Sequence, residues 1–134
     1  VGLVMAAESI GATLVYEVNV DVHPDRASDY EAFIRPHVRD MYVALQGITQ
    51  VTVAKRDMPC ADNGWTGYTV TYHVRRREDL DDYLTHRAPA LRQPMVLQFG
   101  DQARASRRVM AVVSLQESQP PVNSVLGECT SGAA

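Results

Sequence analysis

The 134-residue chain is long enough for about one domain, and its 46% apolar composition can bury a core without metal or disulfide staples. Its 13 basic and 16 acidic residues give a net charge of -3, which lacks the strong basic field of a nucleic-acid-binding domain. No apolar run approaches the roughly 20 residues that a membrane-spanning helix needs, and the cysteines Cys60 and Cys129, in unrelated contexts without CxxC spacing, fit neither a zinc site nor a redox pair.

Residues 1–13 are small and weakly polar and lack the charged segment and long apolar core of a complete secretory signal, so they read as an N-terminal extension. With that, the cysteine usage points to a reducing, cytoplasmic setting. Leu14 to Val22 alternates, with Leu14, Tyr16, Val18, Val20 and Val22 on one side and Val15, Glu17, Asn19 and Asp21 on the other, which predicts a central strand with one buried face. Pro24 and Asp25 open a helical run to about Leu45, and Ser28 with Glu31 has the spacing of a capping box should the helix begin later. Tyr30, Phe33, Ile34, Met41 and Leu45 form its apolar stripe, and Pro36 predicts a bend or a split. Gly47 ends the run, and Ile48 to Arg56 reads as a second strand with Thr49, Val51, Val53 and Lys55 on one side.

Pro59 and the pair Asn63, Gly64 mark a hairpin loop into a third strand over Gly67 to Val74, with Tyr68, Val70, Tyr72 and Val74 on one face and Thr69, Thr71 and His73 on the other. Glu78, Asp79, Asp81 and Asp82 then favour the start of a second helix, whose stripe is Leu80, Tyr83, Leu84, Ala88 and Leu91 and which Pro89 should distort. Arg92 to Ala103 reads as a connection to a fourth strand over about Arg104 to Leu115. Its VMAVV run is apolar on both faces and so predicts cover on both sides, which two helices on one face cannot give; a homodimer through the sheet follows as the expectation. The order βαββαβ is the ferredoxin-like α+β layout, with strand order 4-1-3-2 and the domain spanning 14–115. Residues 116–134, with two prolines and two glycines among Ser, Thr and Ala, read as an extended C-terminal arm in which Val122, Val125 and Leu126 could dock on a protein partner.

The segments YEVNVDVHP (Tyr16 to Pro24), PHVRDM (Pro36 to Met41), YTVTYHV (Tyr68 to Val74), RAPALR (Arg87 to Arg92) and FGDQARASRRVM (Phe99 to Met110) resemble a family of short bacterial-type proteins known only as a domain of unknown function. The likeness covers about Leu14 to Val112. It implies membership of the dimeric α/β-barrel group, in which two ferredoxin-like subunits join their sheets face to face. That group includes cofactor-independent monooxygenases, haem-degrading enzymes, isomerases and regulatory domains, so the resemblance implies architecture rather than chemistry, and no catalytic set is carried over with it.

Among side chains, His37 falls within the first helix's apolar stripe beside Ile34 and Met41 and should point at the sheet, as a pocket base or ligand group or as a hydrogen-bonded core histidine. The polar sheet face gathers Glu17, Asn19, Asp21, Thr71, His73, Arg104, Ser106 and Arg108; His73 and Arg108 are expected to approach Glu17 from opposite sides, as a proton-transfer or carboxylate-binding cluster or as an inter-subunit network. Tyr30, Tyr42, Tyr72 and Tyr83 are either core or the walls of a pocket for a planar ligand. His23 reads as a turn residue and His86 as exposed. Arg75, Arg76 and Arg77 read as a solvated charged corner or, with Arg104, Arg107 and Arg108, as an anion or RNA patch, although the net charge argues against extended nucleic-acid binding. There is no metal-ligand spacing of histidines, P-loop, GxGxxG or GxSxG, so no metal or cofactor is expected. The expected function is a small soluble domain that binds a small molecule between the first helix and the sheet, with His37, Met41, Tyr72, Glu17, His73 and Arg108 as ligand-binding candidates. The alternative is a non-catalytic dimerisation or assembly module acting through a protein partner.

Overall fold

Strand β1, Leu14–Val22, lies in the middle of a four-stranded antiparallel sheet of order β2-β3-β1-β4. The fold is that of a computed structural model, which describes residues 11–116. The expected extension and arm, including Val122, Val125, Leu126 and Cys129, lie outside the described residues apart from 11–13 and 116. The alternation read in β1 is the observed one: Leu14, Tyr16, Val20 and Val22 are buried against the helices, whereas Glu17, Asn19 and Asp21 face the other way. β3, Thr66–Val74, pairs with β1 in a register that sets Tyr72 beside Tyr16 and Thr71 beside Glu17. β4, Ala103–Ala111, pairs on the other side and sets Arg108 beside Glu17 and Arg104 beside Asp21.

β2, Ile48–Lys55, is an edge strand on β3, and a register shift between Ile48 and Gln50 corrects its expected face. Thr49 is the extra residue of a bulge, so Ile48 joins Val51, Val53 and Lys55 on the helix side. The loop to β3 turns at Gly64, whose φ of +72° favours glycine, with the Asn63 side chain accepting from the Trp65 N–H.

The first helix, α1, covers Ala27–Ala44 and follows a 3₁₀ turn at Pro24–Arg26. His23 is a turn residue, as expected: its side chain accepts from the Asp25 N–H. The Ser28 and Glu31 capping box does not form, because Arg26 holds the cap position and makes no side-chain capping bond. The helix is not split at Pro36; Ala32, whose carbonyl loses its donor there, is exposed, so water can replace the missing N–H. Tyr30, Ile34, Met41 and Leu45 are buried, and Phe33 packs at the edge of the core.

The second helical region differs from its expected form. It is two helices, α2 at Arg77–His86 and α3 at Ala88–Phe99, and the expected connection from Arg92 is the body of α3. Pro89 does not distort one helix but opens another, because in the first turn its missing N–H would have had no partner anyway. Leu80, Tyr83, Ala88 and Phe99 pack into the core with Leu84, Leu91 and Met95 at its rim. β4 stops at Ala111, so the expected strand over Arg104 to Leu115 is shorter, and its apolar run lies at the end of an edge strand; Val113, beyond it, is 98% exposed. No helix of the described residues is long and apolar enough to cross a membrane.

Candidate functional site

Beneath α1, side chains from every layer leave a cavity of about 40 Å³ by the measure in which one water needs about 10–15 Å³. The sheet supplies Tyr16, Val18, Tyr72 and Arg107; α1 supplies Tyr30, Phe33, His37 and Met41; α2 supplies Tyr83, and α3 supplies Arg92 and Met95. Three of the candidates, His37, Met41 and Tyr72, therefore line one cavity. The other three, Glu17, His73 and Arg108, sit on the opposite face of the sheet, because side chains alternate with a period of two and the register sets odd positions of β1 and β3 and even positions of β4 on the face turned away from the helices.

His37 is half-buried, with its ring stacked on Phe33 at 5.3 Å between centroids. Burial pushes its pKa below the ordinary value, Asp40 opposes that, and Arg107 adds to it, so the imidazole is neutral at physiological pH. The tyrosines form a stacked set: Tyr16 and Tyr72 lie 5.8 Å apart, and Tyr83 meets Tyr16 edge-on at 6.1 Å. Burial raises the phenol pKa of Tyr30 and Tyr72 and brings Tyr83 up to about 12, keeping all three protonated as donors. Tyr42, grouped with them from sequence, is 48% exposed and takes no part.

The side-chain hydrogen bonds of the cavity are those of the Tyr83 hydroxyl to the Met41 Sδ at 3.2 Å and of Arg92 Nη2 to the Tyr16 hydroxyl at 3.3 Å. Arg92 Nε is buried and finds no protein acceptor. Arg92 and Arg107 are the charged lining residues that the sequence reading missed. Arg92 lay in a presumed connection, and Arg107 was grouped with outward arginines although the strand period turns it toward the helices.

On the open face, Arg108 Nε donates to Glu17 Oε1 at 2.7 Å, as expected, and the Asn19 side-chain amide donates to the same oxygen at 2.9 Å. Those two bonds, Asn19 first, hold the Glu17 carboxyl below its ordinary pKa. His73 is opposite Val15, and Thr71 takes the place beside Glu17, so the expected His73–Glu17 approach is not made. Asp21 is instead the second centre of this face, bound by Arg56 and by Arg104, which reaches on to Asp62. Arg75, Arg76 and Arg77 are exposed, and the last two pair with Asp79 and Asp81.

A βαββαβ chain with strand order β2-β3-β1-β4 and its helices on one face is a ferredoxin-like α+β protein, the subunit architecture of the dimeric α/β-barrel group. Solved structures share it. A dimeric ferredoxin-like protein from an uncultured marine organism is 14% identical with a TM-score of 0.52, over 78% of this chain and 99% of that one. A Nitrosomonas europaea protein provisionally assigned as an antibiotic biosynthesis monooxygenase is 12% identical with a TM-score of 0.53, over 77% and 92%. The de novo designed protein Foldit4 is also similar, at 12% identity and a TM-score of 0.51 over 72% and 94%. At such identities the likeness is one of fold, and that a designed protein shares it shows how little the fold says about activity. No curated protein matches the chain. Residues 13–113 match the family described as Domain of unknown function (DUF4286), and the chain belongs to that family.

Proposed function

We propose that this chain is a cytoplasmic, homodimeric small-molecule-binding domain, with residues 14–115 as its folded unit and its pocket between α1 and the sheet. The observation that carries the reading is the convergence of a neutral imidazole, protonated phenols and two guanidinium groups on one apolar cavity beside His37, Met41 and Tyr72. A mostly apolar space with a few polar groups of distinct protonation state is what a ligand site requires. The dimer is supported by the open sheet face. Glu17, Asn19, Asp21, Thr69, Thr71 and His73 are all half-buried there, yet among the described residues no helix packs on them. A two-fold partner would bring its own Glu17–Arg108 and Asp21–Arg104 pairs against these.

Native mass spectrometry of protein isolated from its own cells, beside sedimentation, tests both parts. The expected result is twice the 14.8 kDa chain mass with a retained or exchangeable small molecule. A persistent monomer removes the dimer. A larger complex without any small molecule favours the second reading, a non-catalytic dimerisation or assembly module, which draws support from the ion-paired open face.

A further inference from the structure

We propose that the cavity under α1 is an anion site that takes the carboxylate head of a small monocarboxylate against Arg92 and Arg107. The inference rests on the ligand-binding reading of the same cavity and names the chemistry of its occupant.

The argument begins with the hydrogen-bonding inventory. Tyr30 and Tyr72 have raised pKa values and offer O–H donors, while the Tyr83 O–H is engaged with Met41 Sδ. Arg92 offers a buried Nε–H that no protein group accepts, while its Nη2 is engaged with Tyr16. A buried guanidinium N–H without an acceptor is costly, and an anionic oxygen would satisfy it with a charge-assisted bond. The acceptors of the lining are neutral, the phenol oxygens and the one free nitrogen of His37, whereas both of its charged groups, Arg92 and Arg107, are donors only.

The charges point the same way. Arg107 is felt at Tyr30, His37, Tyr72 and Tyr83, and Arg92 at Tyr83, so both fields overlap within the cavity. The one carboxylate felt there is Asp40, through His37. Of the carboxylates on neighbouring elements, Glu31 accepts from Tyr68 and pairs with Lys55, Asp82 pairs with Arg87, and Glu17 and Asp21 belong to the opposite face. Two cations facing one acid leave a positive excess that a single negative charge offsets. Size sets the last condition. A 40 Å³ space corresponds to about three to four waters, the bulk of a carboxylate and its attached carbon. Arg107 is exposed, so the remainder of such a molecule can run past it to solvent.

The test compares acids with their uncharged amides on the full chain: propionate against propionamide, and benzoate against benzamide, followed by methyl NMR at Met41 and Met95. Benzoate and propionate are expected to move both methyls and to bind at least about tenfold more tightly than the amides. Arg107→Gln, at an exposed position, and Arg92→Met, which removes the orphaned N–H, should each lose about tenfold for the acids and little for the amides. Arg92→Met also removes the bond to the buried Tyr16 hydroxyl, so the control is Arg107→Gln at its exposed position, which should melt with the wild type without ligand and so separates loss of binding from loss of fold. Equal binding of acid and amide at these methyls overturns the anion assignment and leaves a ligand pocket standing. Acid binding that survives both substitutions overturns it as well. If neither acid nor amide moves the methyls at millimolar concentration, the assignment and the ligand-binding reading fall together.

Discussion

His37→Leu replaces a half-buried imidazole with an apolar side chain of similar size. The hydrogen bonds within the cavity, Tyr83 to Met41 and Arg92 to Tyr16, do not involve that imidazole, so no partner is stranded by its removal. What is lost is the ring stack on Phe33 at 5.3 Å, worth about 0.5–1.5 kcal/mol, and what is gained is relief of a desolvated polar group of similar magnitude. The net change above about pH 7.5 should stay within about 1 kcal/mol, or about 4–8 °C in melting temperature for a domain of this size. The pH dependence gives an independent reading. Because the folded-state pKa of His37 lies below its ordinary 6.5, the unfolded chain binds the proton more readily, and wild-type stability falls as pH drops from 6.5 through the folded value. Leucine removes that proton, so the acid limb of stability against pH should flatten in the mutant. Thermal melts of both proteins between about pH 7.5 and 5 decide the matter. A loss above about 3 kcal/mol at the upper pH, with the acid limb unchanged, would refute this account, because it would mean that the imidazole holds a buried partner.

Leu80→Ala should cost about 2–5 kcal/mol by urea unfolding, because Leu80 is 0% exposed in the core and the rigid sheet beneath it cannot collapse into the space; a loss under about 1 kcal/mol would contradict that packing. Gly47→Ala should cost about 1–2 kcal/mol, since φ there is +80° and the new Cβ would stand 3.3 Å from Asp79 Oδ2; asparagine at this position should recover part of the loss in the same melts. Arg108→Ala should cost only about 0.2–1 kcal/mol at neutral pH, because the arginine is largely exposed. The Glu17 pKa is lowered in the fold, so its contribution is present above its ordinary 4.5 and disappears as pH falls through the folded value. The mutant and wild-type melts should therefore converge in acid, and a difference that persists below that range counts against the ion pair.

Local pattern made most of this fold legible. A period of two separates Tyr16, Val20 and Val22 from Glu17, Asn19 and Asp21 whatever surrounds β1, because successive side chains of an extended backbone point to opposite faces. The same rule in β3 and β4, with the order βαββαβ, was enough to place β1 between them and to set Glu17 and Arg108 on one face. The stripe of α1 turned His37 and Met41 toward the sheet, where both line the cavity. α3 carried no comparable signal: Val96 and Leu97 are exposed while Met95 and Phe99 pack inward, so its apolar residues do not form one stripe, and its prolines resemble breaks although one merely occupies a first turn. Register was equally beyond a single strand's sequence. His73 and Thr71 are both compatible with Glu17 by composition, and only the pairing of β1 with β3 chooses Thr71. The donors of the cavity come from α2, α3 and β4 as well as from α1 and the sheet centre, brought together by packing over long chain separations, and the orphaned Nε of Arg92 exists only once those elements have enclosed it. Sequence alone therefore determined which faces are buried, since that follows from backbone period and polarity. Which polar groups meet inside, and in what protonation state, was decided by tertiary packing, because desolvation and neighbouring charge arise only from residues distant in the chain.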